Sequence, residues 1–94
     1  MVYLLIRHPV ESYTKWKPLY DADAENRKKA GSLGAQLMRS VQNENELVVI
    51  TTWPDVQSAR AFVESEALKK TMEEAGVVGA PEIVYLEEVE TTPA

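Results

Sequence analysis

The feature that most restricts the fold of this chain is a set of three short segments with apolar side chains at consecutive positions. These segments are residues 2–7, 46–53 and 83–89. Successive side chains of a strand point to opposite faces of a sheet, so the segments predict strands that are apolar on both faces. Such a sheet needs cover on both sides, because burying apolar surface stabilises the fold by about 25 cal/mol per Å², and an uncovered face loses that free energy.

A helical region is predicted after the first strand, over residues 10–29, where apolar and aromatic residues recur at helical spacing. Pro18 has no backbone N–H and restricts the residue before it. The region is therefore either one kinked helix or two helices in series. Asp21 or Asp23 would cap the second piece, and Gly31, after two lysines, is typical of a helix end.

The rest of the chain predicts a second strand, a polar turn and a second helical region. Residues 32–41 alternate in polarity, and the turn 42–45 joins them to the strand 46–53. Residues 54–76 return to helical spacing, and Ser65 is placed to cap a second helix within them.

The order of these elements is β-α-β-β-α-β. Right-handed crossovers turn this order into a four-stranded antiparallel sheet with helices on one face, which is a ferredoxin-like α+β fold. The 94 residues fit a single domain. We assign residues 1–90 to that domain and residues 91–94 to a flexible tail.

Helices on one side of the sheet leave its other apolar face without cover from the same chain. A second copy packed sheet to sheet would supply that cover, so the sequence predicts a homodimer. The alternative is that these apolar side chains simply lie in water. Single residues often do so, but three strands doing so together is uncommon.

Composition argues against several classes of function. The formal net charge is −5, and basic residues are dispersed among acidic ones, which argues against nucleic-acid binding. The chain has no cysteine, which excludes disulfides and thiol nucleophiles and fits a reducing cytoplasm. No segment approaches the ~18 apolar residues of a membrane span, and the N-terminal segment fits a strand better than a signal peptide. No metal-ligand spacing or phosphate-binding loop is visible, so we predict neither metal nor cofactor.

Several stretches together resemble the dimeric α/β-barrel superfamily. They are residues 8–21, 27–32, 53–55, 59–62, 75–78 and 81–82. The resemblance spans nearly the whole chain and is nearest to small uncharacterised proteins beside the antibiotic biosynthesis monooxygenase branch. It implies the ferredoxin-like fold and the dimer. The superfamily also contains polyketide cyclases and haem-degrading enzymes, so the resemblance leaves the activity open.

His8 is the only histidine of the chain and ends the first strand, where a helical region begins. An imidazole at such a place is suited to act as a general base near neutral pH, so His8 is our candidate catalytic residue. The alternatives are a histidine bonded to the backbone at a strand end and one that is simply solvated. A haem-ligand role has no supporting residues.

Four aromatic residues with polar groups are candidates for substrate binding. Tyr13, Trp16 and Tyr20 recur three or four positions apart in the first helical region, and Trp53 ends the third strand. Such rings line apolar pockets and orient ring-shaped ligands. They are equally suited to packing between a helix and a sheet.

Arg39 is a charge within an otherwise apolar face of the second strand, and it is the fifth candidate for substrate binding. It would contact an anionic group of a ligand, or else reach solvent or pair with Glu46 across the turn. The functional hypothesis is a pocket between helices and sheet that binds a small aromatic substrate and carries out a cofactor-free, monooxygenase-like oxidation. The alternative is a non-enzymatic homodimer with a ligand-binding or structural role.

Overall fold

Four strands and four helices follow one another in the order β-α-α-β-β-α-α-β in a computed structural model, which describes residues 1–94. The elements are β1 Val2–Pro9, α1 Tyr13–Ala22, α2 Ala24–Ala30, β2 Gly34–Arg39, β3 Glu46–Trp53, α3 Val56–Glu64, α4 Glu66–Glu74 and β4 Glu82–Glu87. Each predicted helical region is thus a pair of short helices, and the ferredoxin-like α+β fold is confirmed. None of the helices is both long enough and apolar enough to span a lipid bilayer.

The strands form one antiparallel sheet in the order β2-β3-β1-β4. β1 is central, since its Leu5 pairs with Ile50 of β3 on one side and with Val84 of β4 on the other. β2 lies at one edge and joins β3 through pairs such as Leu37 with Val49. The crossovers between β1 and β2 and between β3 and β4 carry the helices, which lie against a single face.

The side chains between the helices and the sheet form two buried clusters. The first contains Leu4, Ile6, Trp53, Ala59, Phe62 and Leu68. The second contains Val10, Trp16, Leu47, Val49 and Ala75. Side chains alternate between the two faces along β1 and β3, so the apolar side chains on the helix side of these strands are buried in the core.

The opposite surface of the sheet, here called the open face, has no helix over it. Its apolar and aromatic side chains are Tyr3, Leu5, Met38, Val48, Ile50, Val84 and Leu86. Leu5 lies at the centre of this face. An ion pair between Arg7 and Glu46 lies at one end, and the Tyr3 hydroxyl donates a hydrogen bond to Glu88 at the other. The prediction that both sides of the sheet are apolar is confirmed, and the chain itself covers only one.

The first helical region is two helices in series, but the break falls at Asp23 rather than at Pro18. Pro18 lies inside α1, where its missing N–H removes the one backbone bond to the Thr14 carbonyl near the helix start. Asp23 occupies the cap position of α2, as predicted, although its carboxylate accepts from the Asn26 side chain at 2.9 Å and not from a helix N–H. Gly31 ends α2 with φ +116°, which confirms the predicted stop.

Several predicted boundaries are wrong by a few residues. The first helical region was predicted from Val10, yet α1 begins at Tyr13. Val10 instead donates its N–H to the Asn45 carbonyl and forms a bridge with Val77. β2 is shorter than residues 32–41 at both ends, and β4 ends before residue 89. The ends of these elements depend on hydrogen bonds between backbone segments far apart in the chain, which the local sequence pattern does not predict.

The second helical region is positioned by side-chain caps. The Asp55 carboxylate accepts from the Ser58 N–H at 2.8 Å, and the Ser65 hydroxyl accepts from the Leu68 N–H at 3.2 Å. Both bonds satisfy N–H groups that have no partner within their helix. The predicted cap at Ser65 is confirmed, and Gly76 closes α4 with φ +79°. The segment after α4 is bonded to the end of β1, since the Val78 N–H donates to the Pro9 carbonyl at 2.9 Å.

Candidate functional site

A cavity of about 50 Å³ lies between the sheet and the helices, beside His8. Its wall is mostly apolar, and the polar side chains in it are His8, Tyr20, Asp23, Arg27, Thr51 and Thr71. An apolar hollow with a few converging polar groups is the usual form of a small-molecule site. No group of three or more His, Asp or Glu side chains converges anywhere in the structure to hold a metal ion.

The cavity is smaller than an aromatic ring requires, since a cavity of roughly 150 Å³ holds benzene. A ring-shaped ligand therefore needs part of the wall to move outward. α2 is the least anchored part of the wall, because it has no buried residue, and it directly follows α1, in which only Trp16 is buried. We expect this helix pair to shift when a ring enters.

His8 lies near the end of β1, with its side chain in the cavity wall. The residue is 3% exposed, and its Nδ1 atom has no hydrogen-bond partner. Burial lowers the pKa of His8 below its ordinary value, because the imidazolium would lose its hydration. The imidazole is therefore neutral near pH 7 and free to accept a proton from a ligand.

The buried neutral imidazole predicts that the protein loses stability in mild acid. Below about pH 6.5 the unfolded chain binds a proton at His8 that the folded chain resists, so the free energy of unfolding falls as pH falls. Urea unfolding followed from about pH 7.5 to about pH 5 should show this decline. His8→Gln removes the titrating group, and an equally steep decline in that variant would contradict the assignment.

Trp16 and Tyr20 stack on one another to form a side of the cavity. Their ring centres are 4.8 Å apart with planes 19° from parallel, and the His8 ring centre is 5.8 Å from that of Trp16. Tyr13 lies 6.3 Å from Trp16 but not in the cavity wall. Spacing of three and four residues along α1 places the three rings on one helix face. The structure thus brings His8, Trp16 and Tyr20 together around the cavity.

Trp53 lies in the core rather than at the cavity. It is fully buried, its ring centre is 5.2 Å from that of Phe62, and its indole N–H donates to the Thr51 hydroxyl oxygen at 2.7 Å. Because that oxygen accepts from Trp53, the Thr51 hydroxyl keeps its own proton for a ligand. Thr51 was not among the predicted site residues. Its distance of two and four positions from Val49 and Leu47 along β3 indicates that it shares their buried face.

Arg39 lies on the helix side of β2 and outside the cavity. Its guanidinium carbon is 4.9 Å from the centre of the Tyr13 ring, which is a cation–π contact. The alternative pairing with Glu46 is not formed, because Glu46 faces the other side of the sheet and bonds to Arg7. Arg39 and Tyr13 are therefore neighbours of each other, next to the cavity wall that Trp16 forms.

Asp23 and Arg27 form a largely buried pair in the cavity wall. Their side chains are 10% and 11% exposed, and the shortest distance between guanidinium nitrogen and carboxylate oxygen is 3.8 Å. Arg27 donates to the Tyr20 carbonyl at 2.9 Å, and its guanidinium carbon lies 4.0 Å from the centre of the Tyr20 ring. Sequence analysis assigned Asp23 only to helix capping and missed Arg27, although residues 16, 20, 23 and 27 share helical spacing.

Solved structures of known proteins share this fold along almost their whole length. SnoaB, a cofactor-independent oxygenase from Streptomyces nogalater, matches with a TM-score of 0.80 and 18% identity over 99% of this chain and 97% of that one. A conserved protein from Methanosarcina mazei Go1 matches with a TM-score of 0.74 and 16% identity, over 93% of this chain and 91% of that one. An antibiotic biosynthesis monooxygenase matches with a TM-score of 0.74 and 17% identity, over 96% and 100%. At these identities the similarity shows the fold, and no curated protein sequence matches the chain.

A family profile described as antibiotic biosynthesis monooxygenase matches residues 5–74. The matched span runs from β1 through α4 and covers well over half of the chain. It contains His8, the Trp16–Tyr20 stack and the Asp23–Arg27 pair. The resemblance to proteins near this branch is confirmed. The chain belongs to the antibiotic biosynthesis monooxygenase family.

Proposed function

We propose that the protein is a small monooxygenase-like enzyme that oxidises an electron-rich aromatic substrate with dioxygen in the cavity beside His8. The observation that carries this proposal is a buried, neutral imidazole with an unpartnered Nδ1, next to the Trp16–Tyr20 stack. Membership of the monooxygenase family supports it. So does the similarity of the fold to that of a cofactor-independent oxygenase.

In this reaction His8 takes the proton of a phenol hydroxyl of the substrate. The phenolate then transfers one electron to dioxygen, and the two radicals combine to form a carbon–oxygen bond. The imidazolium returns its proton to the oxygen adduct, and loss of water leaves a carbonyl group on the ring. One phenol and one dioxygen give one quinone and one water, and the substrate supplies all four electrons. The apolar wall keeps solvent from the reactive intermediates.

Oxygen consumption with a naphthol tests the enzyme directly. The purified protein should take up dioxygen and form one naphthoquinone per dioxygen, measured by an oxygen electrode and by absorbance. The methyl ether of the same naphthol is the matched control, because it has no acidic proton for His8 and should not react. Dioxygen uptake no faster than in a protein-free solution, across a panel of phenols, would contradict the proposal.

We also propose that the protein is a homodimer joined through its open face. Seven apolar or aromatic side chains lie there without cover, and patches of this kind on a soluble chain mark interaction surfaces. At the two ends of the face Arg7 pairs with Glu46 and the Tyr3 hydroxyl donates to Glu88, so these groups keep partners when the face becomes buried. Sedimentation at micromolar concentration should give twice the 10.5 kDa mass of one chain. A folded particle of one chain would contradict this.

A non-enzymatic homodimer is the second candidate. The observation that favours it is the cavity volume of about 50 Å³, which leaves no room for a ring unless the wall moves. On this alternative, Trp16 and Tyr20 serve mainly to pack α1 onto the sheet. Aromatic ligands would then neither bind nor react, while the dimer would form unchanged.

A further inference from the structure

The cavity beside His8 approaches the surface between α2 and the second helix pair. A groove of about 300 Å³ lies there, and Asp23, Phe62 and Leu68 line both the groove and the cavity. These three residues are therefore the partition between solvent and the candidate site. Arg27 lines the cavity beside Asp23, so a ligand that crosses the partition meets this ion pair first.

Arg27 has hydrogen-bonding capacity that the protein does not use. A guanidinium carries five N–H groups, and the structure shows one hydrogen bond from it, to the Tyr20 carbonyl. The Asp23 carboxylate is 3.8 Å away, which is too long for a hydrogen bond, and one of its oxygens already accepts from Asn26. The Arg27 side chain is only 11% exposed, and most of its N–H groups have no partner in the protein. Binding of an anionic oxygen at these N–H groups is therefore favourable.

The position of Arg27 relative to His8 sets where that oxygen would be. His8 and Arg27 line the same cavity, and the Trp16 and Tyr20 rings connect them through successive contacts, from His8 to Trp16, Trp16 to Tyr20 and Tyr20 to the Arg27 guanidinium. A substrate with its phenol at His8 therefore presents its opposite end to Arg27. The planar guanidinium matches a carboxylate, which accepts two parallel hydrogen bonds.

We propose that Arg27 binds a carboxylate of the substrate, so that the substrate class is aromatic carboxylic acids bearing a phenol, admitted from the groove beside Asp23. This inference rests on the proposed function and deepens it. Asp23 acts as the competing anion that holds Arg27 while the site is empty. The ligand carboxylate bonds to N–H groups of Arg27 that have no partner in the empty site, and Asp23 keeps its hydrogen bond from Asn26.

The net charge of the chain makes the inference easy to test. The protein carries −5, so its overall field repels anions. Preference for an anionic ligand over a neutral one of the same shape therefore requires a local cation. Benzoate and benzamide are such a pair, and NMR titration of the full chain follows both their affinity and the backbone amides they perturb.

Benzoate should bind about ten- to a hundredfold more tightly than benzamide and shift the amides of residues 20–27 most strongly. Arg27→Met keeps an unbranched apolar stem and should bring the two affinities to near equality. Asp23→Asn removes the competing anion and should strengthen benzoate binding about tenfold while leaving benzamide unchanged. Lys28→Met, on an exposed position of the same helix, is the matched control and should preserve the preference.

Each outcome decides the inference. Equal binding of the two probes to the native protein overturns the role of Arg27 and leaves the proposed pocket intact. No binding of either probe overturns both the inference and the proposed function. An Arg27→Met variant that melts earlier but keeps the benzoate preference shows that Arg27 only joins α2 to α1. If that variant does not fold, unchanged benzoate affinity in Asp23→Asn overturns the inference instead.

Discussion

Leu5→Glu is expected to convert the proposed dimer into monomers. Leu5 lies at the centre of the open face, between Ile50 and Val84, so a carboxylate there becomes buried when a second sheet packs on it. An unpaired buried charge costs several kcal/mol, and each of the two copies brings one. The dissociation constant should rise about a thousandfold or more. Sedimentation across a concentration series measures this shift.

The side chain of Leu5 points away from the helices, so the monomer should keep its fold and its circular dichroism spectrum. Val78→Glu is the matched control, since Val78 is an exposed apolar residue in the loop between α4 and β4 and not on the sheet. That variant should sediment like the native protein. A Leu5→Glu protein that remains dimeric at low micromolar concentration would place the interface elsewhere.

His8→Ala is expected to lower the rate of oxygen consumption with a naphthol by about a hundred- to ten-thousandfold, the usual contribution of a general base. The loss should fall on kcat, with KM little changed, because the aromatic wall formed by Trp16 and Tyr20 stays in place. Burial lowers the pKa of His8, so the pH at which the rate falls to half should lie below the ordinary imidazole value of about 6.5.

Imidazole added to the solution is the control for His8→Ala. The substitution leaves a space where the ring was, and free imidazole bound there should restore part of the rate. Such rescue separates a missing base from a damaged fold. A rate equal to that of the native protein would remove His8 from the mechanism.

The fold was accessible from sequence because its determinants are local and repetitive. Alternation along β1 and β3, together with the stops at Gly31 and Gly76, suffices to place the strands and helices in order. The exceptions have long-range causes. Val10 is not part of a helix because its N–H bonds to the Asn45 carbonyl. The helix breaks at Asp23 and not at Pro18, because α1 tolerates the loss of one backbone bond near its start.

The candidate site was accessible only in part. His8, Trp16 and Tyr20 line one cavity, because a strand end and the following helix are adjacent in any fold of this order, and their role in a site stays a prediction. Thr51 and Arg27 were missed because their position depends on the register of β3 and on the place where the helix breaks. Trp53 has the same chemistry as Trp16, yet it lies in the core, and composition alone does not distinguish the two.

Because α2 buries none of its seven residues, this segment is the part of the cover that separates most easily from the rest of the molecule. In the proposed function, passage of a ligand to the interior then depends on a local fluctuation of about two helical turns, while the sheet stays intact. Amide hydrogen exchange in α2 should accordingly be faster than in β1 or β3. In the proposed oxidation, the frequency of that opening sets an upper limit on the turnover rate.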